Sequence, residues 1–391
     1  MSNTLGTLSG TLVLQKALEL TFRKRPNLNL VSLGFKDLDG KANAAMLNQS
    51  VVSRIKTVAT VNDFGTGAGN VVDTDVTCTL NAKKEIHFAL TPDEYNATDR
   101  NLVEELAQPM AVGLANYIVD AQRDLWLERY FPNTSGNNQL TVASGWTYAN
   151  TLVAARTKMA KLGIPADKRF LTANADVYGA LLGDTTVVAN LYNPNNNSAI
   201  MNGQLPRVSD MALAEYPDVS VNAGASAAIA SANTTTEVIT CSAAHGFVTG
   251  QRVNLTVTSG LTGLTDGTSY YVIYVSATTL KLATTSANAV AGTAVNITAD
   301  GTGTLTDCRI GFAGSPDSTV YLARPMRDPR ELAPGLPFNG NMGYITDPVT
   351  GFTVLVTQWI NTDTLVLNSR MSWLEGRAVG NPNNGIIIYK N

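Results

Sequence analysis

The chain has 391 residues, 44% of them hydrophobic and 15% charged, with a formal net charge of −3. That length supports two or three domains, and the apolar content excludes a disordered chain. With no long Lys/Arg run, the charge balance excludes tight nucleic-acid binding through phosphate neutralisation and leaves only weak, non-specific contact. No segment approaches ~20 uninterrupted apolar residues, and the first residues, "MSNTLGTLSG", lack a basic stretch followed by a long apolar run. The chain therefore reads as soluble, without a signal peptide and without a membrane partner. Cys78, Cys241 and Cys308 are widely spaced and form no C-x-x-C pair, which favours free buried thiols.

Taken in chain order, residues 8–25 place Leu14, Leu18 and Phe22 at helical spacing and end in Arg23, Lys24 and Arg25 before Pro26. This predicts a short amphipathic helix in an arm. From Ser50, "SVVSRIKTVATV" and "DTDVTCTLNAKKEIHFAL" alternate with period two around the Gly-rich "GTGAGN". They predict a long two-stranded hairpin, which needs another surface to lie on because an isolated hairpin is marginal in water. Leu102, Leu106, Met110, Leu114, Ile118, Ala121 and Leu125 then recur at three- and four-residue steps. A helix from Asp99 to Tyr130 would be ~48 Å long at 1.5 Å per residue, with Pro109 as a possible kink.

Helical patterning returns over about 149–162 and 175–182, flanking the strand "RFLTA". From about Gly224 to Thr306 the composition shifts to Thr, Ala, Gly, Ser and Val, and the charged residues reduce to Glu237, Arg252, Asp266, Lys281 and Asp300. Val253, Leu255 and Val257 share one face there, and "SYYVIYVSATTLKLAT" reads as two strands joined near Ala277, so the segment is a separate all-β insertion. The chain resumes with strands in "DSTVYLARPM", "GFTVLVTQW", "TDTLVLNSRMSW" and "NGIIIYKN".

Catalytic constellations do not emerge. H-E-x-x-H, G-x-S-x-G and C-x-x-C are missing from the sequence. "GFKDLDGKA" at 34–42 has one residue too many between its glycines for a phosphate loop, and Ala where Ser or Thr binds the metal. "GTGAGN" joins two strands and opens no helix, which fails the dinucleotide fingerprint. Asp73 and Asp75 are too few for calcium. His87 sits on a strand beside Lys83, Lys84 and Glu85, which suits a surface or interface role. His245, in "AAHGFVTGQRVNL", has no acid, nucleophile or ligand beside it and reads as a turn residue of a β module. No cofactor, metal or enzymatic activity is expected.

The order of arm, unsupported hairpin, long helix, α/β segment and returning strands resembles the major capsid (coat) protein of tailed bacteriophages. The most specific stretch is "VTCTLNAKKEIHFALTPDEYNATDRNLVEELAQPMAVGLANYIVDAQRDLWL", residues 76–127. It is similar to that family's passage from extended loop into spine helix. "AARTKMAKLGIPADKRFLTANADVYGALLGD" is similar to the opening of its A-domain, and "STVYLARPM" and "GFTVLVTQW…DTLVLNSRMSWLEGRAV" resemble its later strands.

The resemblance implies an α+β fold of the Hong Kong 97 type. Its parts would be an N-terminal arm (1–49), an extended-loop β-hairpin (50–92), spine helix and P-domain (93–145), A-domain (146–223), an inserted all-β domain (224–306), and the A-domain remainder with returning P-domain strands (307–391). It implies self-assembly into hexamers and pentamers of an icosahedral shell around double-stranded DNA. The implied partners are a separate scaffolding protein, a portal and a decoration protein. The expected location is the virion capsid, assembled in the host cytoplasm. Contacts between subunits are expected from Arg23, Lys24 and Arg25 in the arm, Phe64 at the hairpin tip, and Lys83, Lys84 and His87 on its second arm. No motif matches the crosslinking lysine of the founding family member, so crosslinking is not expected. Two other readings stay open: an encapsulin-like compartment shell, and a carbohydrate-binding tail or adhesion protein argued from the insert.

Overall fold

The strands sort into two units in a computed structural model that describes residues 47–56, 63–65, 73–97, 102–142, 145–184, 209–216, 226–332, 340–347 and 352–390. One unit takes the residues up to Gln122 together with Thr319–Gly380, the other Arg123–Ser318 with Asn381–Asn391. The fold is mixed α+β and mostly sheet. The helical stretch at 8–25 with Arg23, Lys24 and Arg25, the segment at 34–42, and most of the Gly-rich hairpin turn lie outside the described residues.

In the first unit the strand Leu367–Val379 is the centre of a five-stranded sheet. It pairs with Thr353–Ile360 through its first half and with Thr319–Pro325 through its second, and Gly340–Thr346 extends the sheet beyond Thr353–Ile360. Ala82–Leu90 pairs antiparallel along residues 367–375. The long helix, Leu102–Arg123, has Met110, Ala111, Leu114, Ala115, Ile118 and Val119 buried, the i, i+4 spacing of an amphipathic face. Ile86 of Ala82–Leu90 packs at Gly113 of the helix, where a Cβ would stand at an ordinary contact distance of 3.8 Å from Ile86 Cδ1.

Two expectations change here. The hairpin's second arm is not one strand: Asp73–Thr79 pairs with Ser50–Lys56, whereas Ala82–Leu90 leaves to join the larger sheet. The break falls at Leu80, whose side chain is buried and whose backbone closes the hairpin root through hydrogen bonds with Asn48 and Gln49. The helix runs through the exposed Pro109 without interruption and ends at Arg123, short of Tyr130. Its terminal carbonyl, on Arg123, accepts a hydrogen bond from Arg309 Nη1 at 2.7 Å, the kind of partner that an orphan carbonyl at a helix end requires.

In the second unit a five-stranded sheet runs in the order Gln139–Val142, Gly385–Lys390, Arg309–Gly314, Phe170–Ala173, Ala212–Glu215. Helix Ala154–Lys161, preceded by a π turn at Tyr148–Val153, and helix Ala175–Leu182 contribute Leu152, Ala155, Met159, Val177 and Leu181 to a core with Leu171, Ile310, Ile386 and Ile388. Local sequence sets where each helical segment starts. Thr147 and Asn150 bond reciprocally, and Asn174 Oδ1 accepts from the Val177 N–H. In a second, aromatic core Phe312 stacks on Trp126 and meets Phe131 edge-on, with ring centroids 5.1 and 5.2 Å apart. Gly385 is required there, because a Cβ would lie 2.3 Å from Phe131.

Between Ala212–Glu215 and Arg309–Gly314 the chain builds a closed six-stranded barrel: Ser269–Tyr274, Thr279–Ala283, Ile239–Cys241, Ser226–Ala232, Thr302–Asp307, Arg252–Ser259 and back to the first. Its interior is filled by Ile229, Ile239, Phe247, Val253, Leu255, Val272, Leu280, Leu282 and Leu305, as the alternation in a small barrel requires.

Candidate functional site

The described part of the hairpin Ser50–Lys56/Asp73–Thr79 is anchored at its root. At its root Val51, Cys78 and Leu80 pack with Val320, Leu322 and Leu374 of the same unit's sheet. The seat is close: a Cβ on Gly376 would stand 2.4 Å from the Thr79 carbonyl oxygen and 3.1 Å from Cys78 Sγ. Burial pushes the Cys78 thiol up to about 11. Farther out the strands carry an exposed Arg54–Asp75 ion pair, and Phe64, in the turn at 63–65, is fully exposed. A free aromatic beyond a packed root is a contact surface in waiting.

On Ala82–Leu90 the side chains alternate between the helix and the outer face. Lys83, Glu85 and His87 point outward. His87 stacks on Trp359 at 5.6 Å and bonds Asn368 Oδ1 through Nε2 at 3.0 Å, while Arg370 lies 5.1 Å over the same Trp359 ring and 3.5 Å from Glu85. Lys84 turns to the other face, its ammonium 5.3 Å over the Tyr117 ring of the long helix.

Tyr117 opens a buried polar chain that ties helix to sheet. Its hydroxyl donates to Glu375 Oε1 at 2.5 Å, the Tyr321 hydroxyl donates to Glu375 Oε2 at 2.9 Å, and Trp373 Nε1 donates to the Tyr321 oxygen at 3.1 Å. Burial, reinforced by the Glu375 charge, holds the Tyr321 hydroxyl well above its ordinary range.

The second unit has its own clamp where the barrel's last strand meets the sheet. Asp307 ends that strand, and Arg309 begins the next after the single residue Cys308. The Asp307 carboxylate takes Arg123 Nη2 at 2.8 Å and Arg309 Nη2 at 2.9 Å, all three side chains being nearly closed to solvent. Arg252 of the barrel lies 4.9 Å over Tyr389 of the sheet, and the Tyr271 hydroxyl donates to Glu128 at 2.5 Å. The barrel is thus fastened to its sheet by a buried ion cluster, a cation–π pair and a charge-assisted hydrogen bond.

His245 is fully buried in the barrel. Its Nδ1 accepts from the Phe247 N–H at 3.0 Å, which leaves the proton on Nε2, where Ser276 O lies 2.9 Å away. The ring pins one loop to another. Among the described residues no group of three or more His, Cys, Asp or Glu could hold a metal ion, and no helix is long and apolar enough to cross a membrane.

No protein-family model and no curated protein matches the chain. Solved structures do. They include Mycobacterium phage Che8 (12% identity, 92% of this chain and 89% of that chain, TM-score 0.45) and the capsid of the cyanophage P-SCSP1u (10%, 92% and 93%, 0.44). The mature capsid of bacteriophage PhiM1 is a third (9%, 92% and 88%, 0.43). The structures this chain is similar to are tailed-phage capsids. At these identities and TM-scores the likeness carries no residue roles to this chain.

Of the residues singled out from sequence, His87 and Lys83 share the outer sheet face, Lys84 faces the helix, and Phe64 stands apart at the hairpin turn. Arg23, Lys24 and Arg25 lie outside the described residues. Sequence reasoning missed Glu375 and Asp307, the two carboxylates on which the buried polar clusters are built. The one signal that could have pointed to them is a charged residue inside an otherwise apolar strand pattern, as in "MSWLEGRAV" and "LTDCRIGF".

Proposed function

We propose that this chain is the major capsid protein of a tailed double-stranded DNA bacteriophage, a non-enzymatic subunit of a self-assembling icosahedral shell with Hong Kong 97-type architecture. The observation that carries the reading is the hairpin: a root buried on its own sheet, and beyond it polar strands and a wholly exposed Phe64. In a shell a neighbouring subunit supplies the missing surface. The buried Glu375 and Asp307 clusters support the reading, since a wall that bears load needs subunit parts that do not deform internally.

In this account the first unit supplies extended loop, spine helix and P-domain, and the second supplies the A-domain with its inserted barrel. The arm at 1–49 reaches a further neighbour. Subunits close into hexamers and pentamers with the help of a scaffolding protein and a portal, inside the host cell, around DNA that the weakly negative chain touches without holding. A decoration protein would add to the outside. The test is deletion of residues 64–72. The subunit should keep its circular dichroism spectrum and lose stable shells; normal shells from the deleted chain would overturn the reading.

A further inference from the structure

We infer that the barrel carries a binding rim for a neutral carbohydrate, formed where the loop after Ile239–Cys241 meets the turn after Ser269–Tyr274. The two are joined by the backbone bond from His245 N to Ala277 O and by the buried His245 ring. Together they expose Ala243, Ala244, Tyr274, Val275 and Ala277. Tyr274, the last residue of its strand, and Val275, the first of the turn, are both about half exposed (50% and 48%).

Tyr274 is held in place. Its ring meets His245 edge-on at 5.7 Å, and its backbone N–H donates to Thr249 Oγ1 at 3.0 Å. A fixed aromatic loses little conformational entropy on contact, and its face takes the C–H face of a sugar ring. The exposed residues around it, Ser242, Ser276 and Thr278, offer hydroxyls and no charge.

Charge and size choose the ligand. Residues 238–251 and 267–280 contain no Asp, Glu, Lys or Arg. Of the barrel's carboxylates, Asp307 lies in the cluster with Arg123 and Arg309, and the others are taken by backbone N–H groups: Glu237 by Ile297, Asp266 by Val257, Asp300 by Ala232 and Gly301. The two segments themselves offer no charge to a polyanion or an acidic peptide, and the neighbouring cation Arg129, whose side chain packs at Gly250, donates to the Tyr130 hydroxyl at 2.8 Å. A protein partner needs about 20–30 residues a side, and this rim has five apolar ones. It matches one or two uncharged sugar rings.

The test applies the full-length chain, as wild type, Tyr274→Ala and Tyr274→Phe, to an array of neutral and sialylated glycans, with sedimentation and electron microscopy alongside. The wild type should retain neutral glycans, the Ala variant should bind them about tenfold more weakly, and the Phe variant should retain them. All three should assemble alike, so that loss of sugar binding is separable from loss of the shell. The inference is overturned by an absence of neutral-glycan binding, by binding to sialylated glycans alone, or by binding that the Ala variant preserves. A Tyr274→Ala chain that loses self-association would overturn it too, by giving the rim to a second copy.

Discussion

The Tyr117 hydroxyl of the long helix donates to the Glu375 carboxylate at 2.5 Å, at a position where only 2% of Glu375 is exposed. Tyr321 of the sheet donates to the other oxygen of the carboxylate, so the helix is held to the sheet by a charge-assisted hydrogen bond whose acceptor is fixed from both sides. Tyr117→Phe should cost about 1.5–3 kcal/mol, the range for a hydrogen bond to a charged group. Glu375→Leu should cost more, because it strands two hydroxyls. Urea unfolding of the unassembled subunit measures both; an unchanged midpoint for Tyr117→Phe would contradict the role given to the pair.

Asp307 neutralises two guanidinium groups in the clamp of the second unit. Asp307→Asn removes the carboxylate that both buried guanidinium groups bond and leaves Arg309 only the more distant charge of Asp124, which should cost about 3–5 kcal/mol. The loss should appear as faster amide exchange in Thr302–Asp307 and Arg309–Gly314, the strands the carboxylate joins.

Two glycines form a paired test of the hairpin seat. Gly376→Ala drives a methyl into the Thr79 carbonyl, a backbone group, with the buried Cys78 Sγ at 3.1 Å beside it. A cost of about 1–3 kcal/mol is expected, with proteolysis of the hairpin as the local readout. Gly343→Ala meets nothing within 4 Å and should be close to neutral.

Alkaline pH should weaken the fold. Burial raises Cys78 from 9.0 to about 11 and raises Cys308, Tyr321 and Tyr389 in the same direction. Groups with raised folded-state values contribute stability that is complete below the unfolded value and lost as pH climbs through the folded one. For Cys78 the window is pH 9 to about 11. Thermal midpoints should fall across it, and Cys78→Ala should flatten that part of the profile.

Local pattern was the legible part of this fold. The alternation of Val253, Leu255 and Val257 marks a barrel strand on which the first two are fully buried and the third partly so, and the spacing over 175–182 marks a helix with those bounds. The break at Leu80 was not legible, because apolar alternation continues across it and only the root's backbone pairing stops the strand. The helix end was hidden as well. Leu125 keeps the helical period, yet the chain turns after Arg123, whose carbonyl is capped by a residue 186 positions away. Both buried clusters join residues far apart in sequence, 258 positions for Tyr117 and Glu375 and 184 for Arg123 and Asp307, and periodicity has no access to such pairs. For the candidate surfaces, sequence could nominate Phe64 and His87 by type and place. It could not foresee that Lys84 turns inward over Tyr117.

Assembly is the central claim, and negative-stain electron microscopy tests it most directly, on the purified chain expressed alone and then with each candidate scaffolding protein. Closed shells, or irregular shells made regular by the scaffold, are the result expected here. A uniformly small species under both conditions would contradict the account.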